Sequence, residues 1–321
     1  MDDIIRKLLR SESASIRFRT RVEILGEDPA SESIQELQKE IKSSPRVKRL
    51  LSEQAKDGKI PYHPYAKWYG AHWVLASLAD LRYPPGDETL VPLRDQVYDW
   101  LFSLKHEDKI KAIQGRVRRC ASQEGNALYS LYALGLADKR TITLADRLQE
   151  WQWPDGGWNC DKRPAAHHSS FMESLIPLRG ITLYAKRTGD KEAHRTAKQA
   201  AEIFLKRKVY KGQRNGEVIK PDFVMLHHPC YWHYDILFGL KVIAEAGFIN
   251  DDRCSDALDL LEAKRLPDGG FPAEKKYYQV TDKIKSGRSL VNWGGTSKRR
   301  MNEFVTVDAL YVLLAGGRLA Q

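Results

Sequence analysis

The chain has 321 residues, 42% of them apolar, and Lys and Arg outnumber Asp and Glu by 52 to 42, a formal charge of +10. That length supports one large core or two modest ones, and without any uninterrupted apolar run of roughly 18 residues no membrane-spanning helix is expected. Cys120, Cys160, Cys230 and Cys254 lie far apart with no Cys-x-x-Cys pair, which argues against a disulfide framework and for a reducing compartment.

In chain order, the start Met1-Asp2-Asp3-Ile4-Ile5-Arg6-Lys7 is charged and lacks the apolar core of a signal peptide, so the expected location is cytoplasmic. Residues 1–50 read as a helical N-terminal lead broken at Pro29 and Pro45, and 51–321 as one domain. After residue 50 two kinds of helix alternate. One is apolar on more than one face, over 67–80, 120–134, 168–184, 230–246 and 301–314, the mark of buried helices. The other is amphipathic and charged, over 90–104, 141–152, 192–208 and 254–264. Strand signals are nearly absent. Asp251-Asp252 stands where a loop enters an outer helix, and its expected role is an N-cap. Longer connections fall at 209–224 and 271–297; the second, with Lys275, Lys276, Tyr277 and Tyr278, has the length of a lid.

A phrase recurs between these helices. It reads Gln54-Ala55-Lys56-Asp57-Gly58-Lys59-Ile60, then Gln152-Trp153-Pro154-Asp155-Gly156-Gly157-Trp158, then Arg265-Leu266-Pro267-Asp268-Gly269-Gly270-Phe271. Asp-Gly turns followed by an apolar or aromatic residue pin a loop to a core, and repetition at long period predicts a repeat architecture. Buried and exposed helices in alternation predict an all-α fold, an inner ring wrapped by an outer ring.

Trp151 to Trp158, and more loosely Leu266 to Phe271, resemble the Gln-Trp repeats of the terpenoid cyclase and protein prenyltransferase superfamily. Over about residues 50–315 the chain looks most like its short bacterial, squalene-cyclase-like branch. The resemblance implies an α/α-toroid whose inner helices point their N-termini toward one cavity. It does not carry a mechanism, because fold and site are separate properties. The Asp-x-Asp-Asp acid of class II cyclases does not occur in this sequence. The prenyltransferase zinc pattern is incomplete too: His228-Pro229-Cys230-Tyr231-Trp232-His233-Tyr234 is similar to its histidine-bearing segment, with no Asp-x-Cys partner.

If the inner helices converge, their first turns form the candidate site. Glu124, Glu173, Asp235 and Glu303 are the candidate acids, able to divide into a general acid and an ionised base, and His233 is a candidate proton shuttle. Trp68, Tyr69, His72, Arg119, His168, Tyr231, Tyr234, Arg300 and Asn302 are candidate substrate contacts, the arginines suited to a diphosphate or carboxylate. A carboxylate in a first helical turn equally serves the helix dipole or a capping box. Cys230 and His233, with His227 and His228 before them, have spacing that suits Zn²⁺ if a neighbouring helix adds a third ligand. No metal site is assigned, and neither Zn²⁺ nor Mg²⁺ is settled as a cofactor. The expected function is an enzyme working by acid–base chemistry on a small prenyl-diphosphate-like or other polar substrate. The alternatives are a non-catalytic binding or scaffold protein and a carbohydrate-active hydrolase or lyase. The positive charge favours anionic partners, but it forms no long basic tail, so nucleic acid is not indicated.

Overall fold

The recurring phrase folds the same way at each occurrence. Ala55 N donates to Lys59 O (2.8 Å) and Gly58 N to Ala55 O (2.9 Å); Trp153 N donates to Gly157 O and Gly156 N to Trp153 O (both 2.8 Å); Leu266 N donates to Gly270 O and Gly269 N to Leu266 O (both 2.9 Å). Gly58, Gly156 and Gly269 occupy φ values of 78°, 103° and 81°, where a Cβ is strained. The side chains of Gln54 and Gln152 close their turns by donating to Gly58 O (2.9 Å) and Gly156 O (2.7 Å). Each turn returns the chain from the end of one helix toward the start of a buried one.

The structure, a computed structural model, describes residues 2–319 and is mostly helical. In chain order the helices are α1 (Asp2–Leu9), α2 (Ala14–Arg19, continued by a π-helical turn Thr20–Ile24), α3 (Glu32–Ser43), α4 (Pro45–Leu51), α5 (Ala71–Asp80), α6 (Val91–Leu101), α7 (Leu104–Glu107), α8 (Ser122–Ala133), α9 (Arg140–Glu150), α10 (Phe171–Thr188), α11 (Lys191–Leu205), α12 (Ile236–Glu245), α13 (Ser255–Glu262) and α14 (Glu303–Ala315). Two small pieces of sheet join them: β1 (Ala112–Ile113) antiparallel to β2 (Arg116–Val117), and β3 (Gln279–Val280) parallel to β4 (Arg288–Ser289).

Some expected starts shift. The helix expected from 230 begins at Ile236, because Asp235 stands in extended backbone and its side chain accepts from Phe238 N (2.8 Å) as N-cap. The helix expected from 168 begins at Phe171, capped by Ser170. Apolar periodicity runs on through an aromatic-rich turn, whereas a cap ends the helical dihedrals. Asp251 does cap, accepting from Arg253 N (3.0 Å).

Burial separates two sets of helices. In α5 every residue from Ala71 to Ala79 is buried, as are Ser122–Leu131 of α8 and Ile236–Ile243 of α12. By contrast α9 buries only Thr141, Leu144, Ala145 and Leu148, one stripe. The buried helices pack in sequence, α5 on α8, α8 on α10, α10 on α12, α12 on α14, and α14 on α2 and its π turn, with α6, α9, α11 and α13 backing them. The closest approach is α8 to α10: a Cβ on Gly125 would lie 2.6 Å from Pro177 Cα, and one on Gly180 would strike Gly125 O.

Charge runs through the middle of this core. Arg19 pairs with Glu23 (3.0 Å) and Asp308 (2.5 Å), Glu23 with Arg82 (2.5 Å), Asp308 with Lys241 (2.6 Å), and Arg179 with Asp80 (2.9 Å) and Glu245 (2.7 Å). Burial pushes the Glu23 carboxyl up, but Arg19 and Arg82 hold it down at about 2. Likewise Arg19 and Lys241 hold Asp308 well below the usual carboxylate range. Arg19 is 1% exposed, so the first fifty residues, expected as a lead, share the core through α2.

Removing one partner of a buried set leaves the other charge uncompensated, at a cost of about 3–5 kcal/mol. Asp308→Ala is therefore expected to lose about that much in urea unfolding, while Glu36→Ala, from the exposed pair with Lys39, loses under about 0.5 kcal/mol. Comparable small losses in both would mean that water solvates the central charges. In the same assay Gly180→Ala is expected to cost about 1–3 kcal/mol by overpacking.

Candidate functional site

Where the buried helices meet, their first three turns leave a cavity. It is lined by Trp73, Ala76, Ser77 and Asp80 of α5, Asn126 and Tyr129 of α8, Ile176 and Arg179 of α10, Phe238 of α12 and Phe304 of α14, and closed by His228, Pro229, Cys230, Tyr231 and Trp293. About 560 Å³ between these walls is free of atoms, part of it open to solvent, but the walls stand so close that only about two or three waters fit. The walls are largely ring faces. Trp68 stacks on Tyr231 from behind (4.0 Å between centroids), Trp73 meets Tyr231 edge-on (5.7 Å), and His228 lies flat on Phe304 (4.5 Å). Arg179 covers the ring of Tyr129 at 3.7 Å while holding Asp80. Against burial, Arg179 keeps the Asp80 carboxyl below its ordinary range, so an ionised carboxylate faces an aromatic chamber.

The carboxylates expected to surround such a pocket do not line it. Glu124 accepts from His106 Nε2 (2.8 Å) and lies 3.7 Å from Arg147, toward the outer helices. Arg119 Nη2 donates to His106 Nδ1 (2.8 Å) and Gln123 Oε1 (2.9 Å) in that network. Glu173 accepts from Ser122 N (3.2 Å), and burial pushes its carboxyl up. Besides capping α12, Asp235 accepts from His227 N and pairs with His227 Nδ1, both at 2.8 Å. Glu303 accepts from Ser11 Oγ (2.9 Å) beside α1. Backbone amides at helix starts and nearby hold Glu173 and Asp235, a histidine holds Glu124 and a serine hydroxyl holds Glu303.

The expected substrate contacts also divide. Tyr231 lines the cavity with Trp68 behind it, and His72 reaches it through Asn126, whose Nδ2 donates to His72 Nε2 (3.0 Å). Asn302 caps α14 and holds Trp293 by donating to its carbonyl (2.7 Å). Tyr69 sits under Arg288, 4.9 Å from its ring. His233 stacks on Tyr277 (3.5 Å), in the 271–297 connection. His168 and Arg300 are exposed. Tyr234 faces the outer layer, among Phe171, Phe204 and Phe223, and its hydroxyl donates to Val209 O (2.5 Å). Asp80, Arg179, Phe238, Trp293 and Phe304 were not expected at the site. The one signal for Arg179 was a lone arginine in the apolar run 171–185.

Among the described residues, two groups bring metal-ligating atoms within 4.8 Å of one another: Cys120, Cys160 and Glu173, and His227, Cys230 and Asp235. The second contains the expected Cys230, but His227 and Asp235 join it, not His233. Asp235 is already filled by its cap and by His227, which marks that group as a structural hydrogen-bonded pair next to a thiol. Burial and the Asp235 charge push the Cys230 thiol far up, so it stays protonated.

No protein-family model and no curated protein matches this chain. Among solved structures it is similar to a type II terpene cyclase from Scytonema in complex with geranylgeranyl dihydroxybenzoate, at 15% identity over 85% of this chain and 96% of that one, with a TM-score of 0.27. A likeness that distant leaves the site to this chain's own residues.

Burial holds three of these histidines neutral: His72, His228 and His233 are each pulled from 6.5 to about 3, with His106 adding to the effect at His72 and His227 at His233. A histidine whose folded pKa lies below its unfolded one is protonated first in the unfolded chain. Its stability contribution is complete above about pH 6.5 and is lost as pH falls from there toward 3. Urea-unfolding free energy is expected to fall by about 1.4 kcal/mol per pH unit for each histidine between about pH 6 and 4.5, and about a third less steeply in His72→Gln. A flat profile over that window would show that they carry protons in the folded protein.

Proposed function

We propose that this chain is an α/α-toroid of the terpenoid cyclase and protein prenyltransferase kind, and an enzyme that holds a small branched hydrocarbon, of prenyl type, in the aromatic cavity. The unbroken succession of packed helices from α5 to α14 and α2 supports ring closure. So does the Glu23–Arg82 ion pair, which ties the π turn to the residues just after α5.

The enclosed aromatic chamber with an ionised Asp80 in its wall carries the functional reading. Apolar walls favour a hydrocarbon over water. Ring faces attract positive charge, and the Asp80 carboxylate, held in place by Arg179, is fixed where it can stabilise such charge as it develops. When the C–O bond of a prenyl diphosphate breaks and diphosphate leaves with the electron pair, the resulting allylic cation sheds a proton to His228, neutral and buried against Phe304, as it collapses to an alkene. In this scheme proton transfer sits at His228, Tyr231 and Trp68 form the wall, and Asp235 and Asn302 hold the segments that close it. A closed, narrow chamber counts against an oligosaccharide groove.

A thermal-shift assay with isopentenyl and dimethylallyl diphosphates and the matching alcohols, the five-carbon prenyl groups that suit so narrow a chamber, tests this. Ligand at a hundred times its dissociation constant adds about 2.7 kcal/mol, a rise of several degrees. Ala76→Leu narrows the chamber and is expected to abolish the rise while melting within a few degrees of the parent. Absence of any rise with the parent protein, or a rise that survives Ala76→Leu, overturns the proposal.

A further inference from the structure

The first group of metal-ligating residues is built differently from the second. Cys120 lies just before α8, Cys160 on the connection between α9 and α10, and Glu173 in the first turn of α10. The two thiol-bearing segments are braced together. Arg118 and Asn159 form a parallel bridge, and Arg118, 1% exposed, donates from Nη1 to Ala166 O (2.7 Å) and Asp161 O (3.1 Å). Asn159 Nδ2 donates to His168 O (2.8 Å), and Trp153, its ring 4.4 Å from the Arg118 guanidinium, donates from Nε1 to Val117 O (2.8 Å). A buried arginine thus sets one cysteine beside the other.

We propose that Cys120, Cys160 and Glu173 form a Zn²⁺ site with its fourth position open to solvent. Tetrahedral zinc with bonds of about 2.0–2.3 Å places its ligand atoms roughly 3.5–3.8 Å apart. Cys160 Sγ and Glu173 Oε1 are already 3.7 Å apart, and all three ligand atoms fall within 4.8 Å. Both cysteines are unpaired. Glu173 uses Oε2 on Ser122 N (3.2 Å), which aims Oε1 at the thiols. This is the supporting hydrogen bond that orients a ligand carboxylate. Cys160, burial and the Glu173 carboxylate push the Cys120 thiol up, so zinc binds there with release of that proton. Both cysteines are half-buried, which leaves an entry path and room for a water ligand. The site lies apart from the aromatic cavity, so it stands or falls independently of the prenyl-ligand proposal.

Co²⁺ is the probe. The full-length protein, kept reduced, is expected to develop a near-ultraviolet thiolate-to-cobalt charge-transfer band and the visible bands of tetrahedral cobalt, both discharged by Zn²⁺. Cys120→Ser and Cys160→Ser each remove roughly half of the charge-transfer intensity, as one of two thiolates requires, and the double variant removes it all. Glu173→Gln weakens Co²⁺ binding by at least about tenfold, and Cys230→Ser changes nothing. A wild-type protein without the band, a band that survives in the double variant, or one lost in Cys230→Ser overturns the site. A readout without variants guards against misfolding: Zn²⁺ is expected to slow alkylation of Cys120 and Cys160, located by peptide mass spectrometry, more than that of Cys254. Equal rates with and without Zn²⁺ likewise overturn it.

Discussion

Asp308, in the middle of a helix with no wet face, takes a guanidinium and an ammonium at once. Through Arg19 it binds the first segment of the chain, and through Lys241 it binds α12. Arg19 passes the connection to Glu23 and so to Arg82 beyond α5. Arg179 holds Asp80 of α5 and Glu245 of α12. Acids and bases balance, as low dielectric demands, because an unmatched charge there has no water to turn to. The buried helices are consequently joined at their middles and ends by groups far apart in sequence.

The cavity is a consequence of that joining. Helices apolar all round would collapse on one another, as α8 and α10 do where Gly125 meets Pro177. Elsewhere large rings keep the others apart, and Arg179 spends its length lying on Tyr129 while gripping Asp80. The chamber therefore has aromatic walls and one anchored carboxylate, and its roof comes from connections: the segment from His228 to Tyr231, and Trp293 held by Asn302.

The helix starts do different work. Asp235, Asn302, Ser170 and Asp251 satisfy exposed amides, as caps must when several helices begin in a crowded interior. Glu173 is the exception. Its own helix is capped by Ser170, so its carboxylate is free to reach across to α8 and to the thiols. Charge at one level locks the bundle, rings at the next enclose space, and polar groups at the rim cap and gather ligands.

What the sequence determined by itself is local. The Asp-Gly turns follow from glycine at positive φ, and the division into buried and one-sided helices follows from how many faces are apolar. Both are properties of a few neighbouring residues. Helix starts were legible only to within a few positions, because the caps Asp235 and Ser170 interrupt apolar patterns without changing them. The candidate site was legible only in part. Tyr231, Trp68 and His72 were found at or near the cavity, while Glu124, Asp235 and Glu303 proved to be spoken for by a histidine, a helix cap and a serine. Which groups meet was decided by tertiary structure. Arg19 and Asp308 stand 289 positions apart, and Cys120 and Cys160 come together only through the Arg118–Asn159 bridge. A carboxylate reads the same in sequence whether it caps a helix, pairs with a base or faces a cavity; its partner in space, set by the packing of distant segments, decides which.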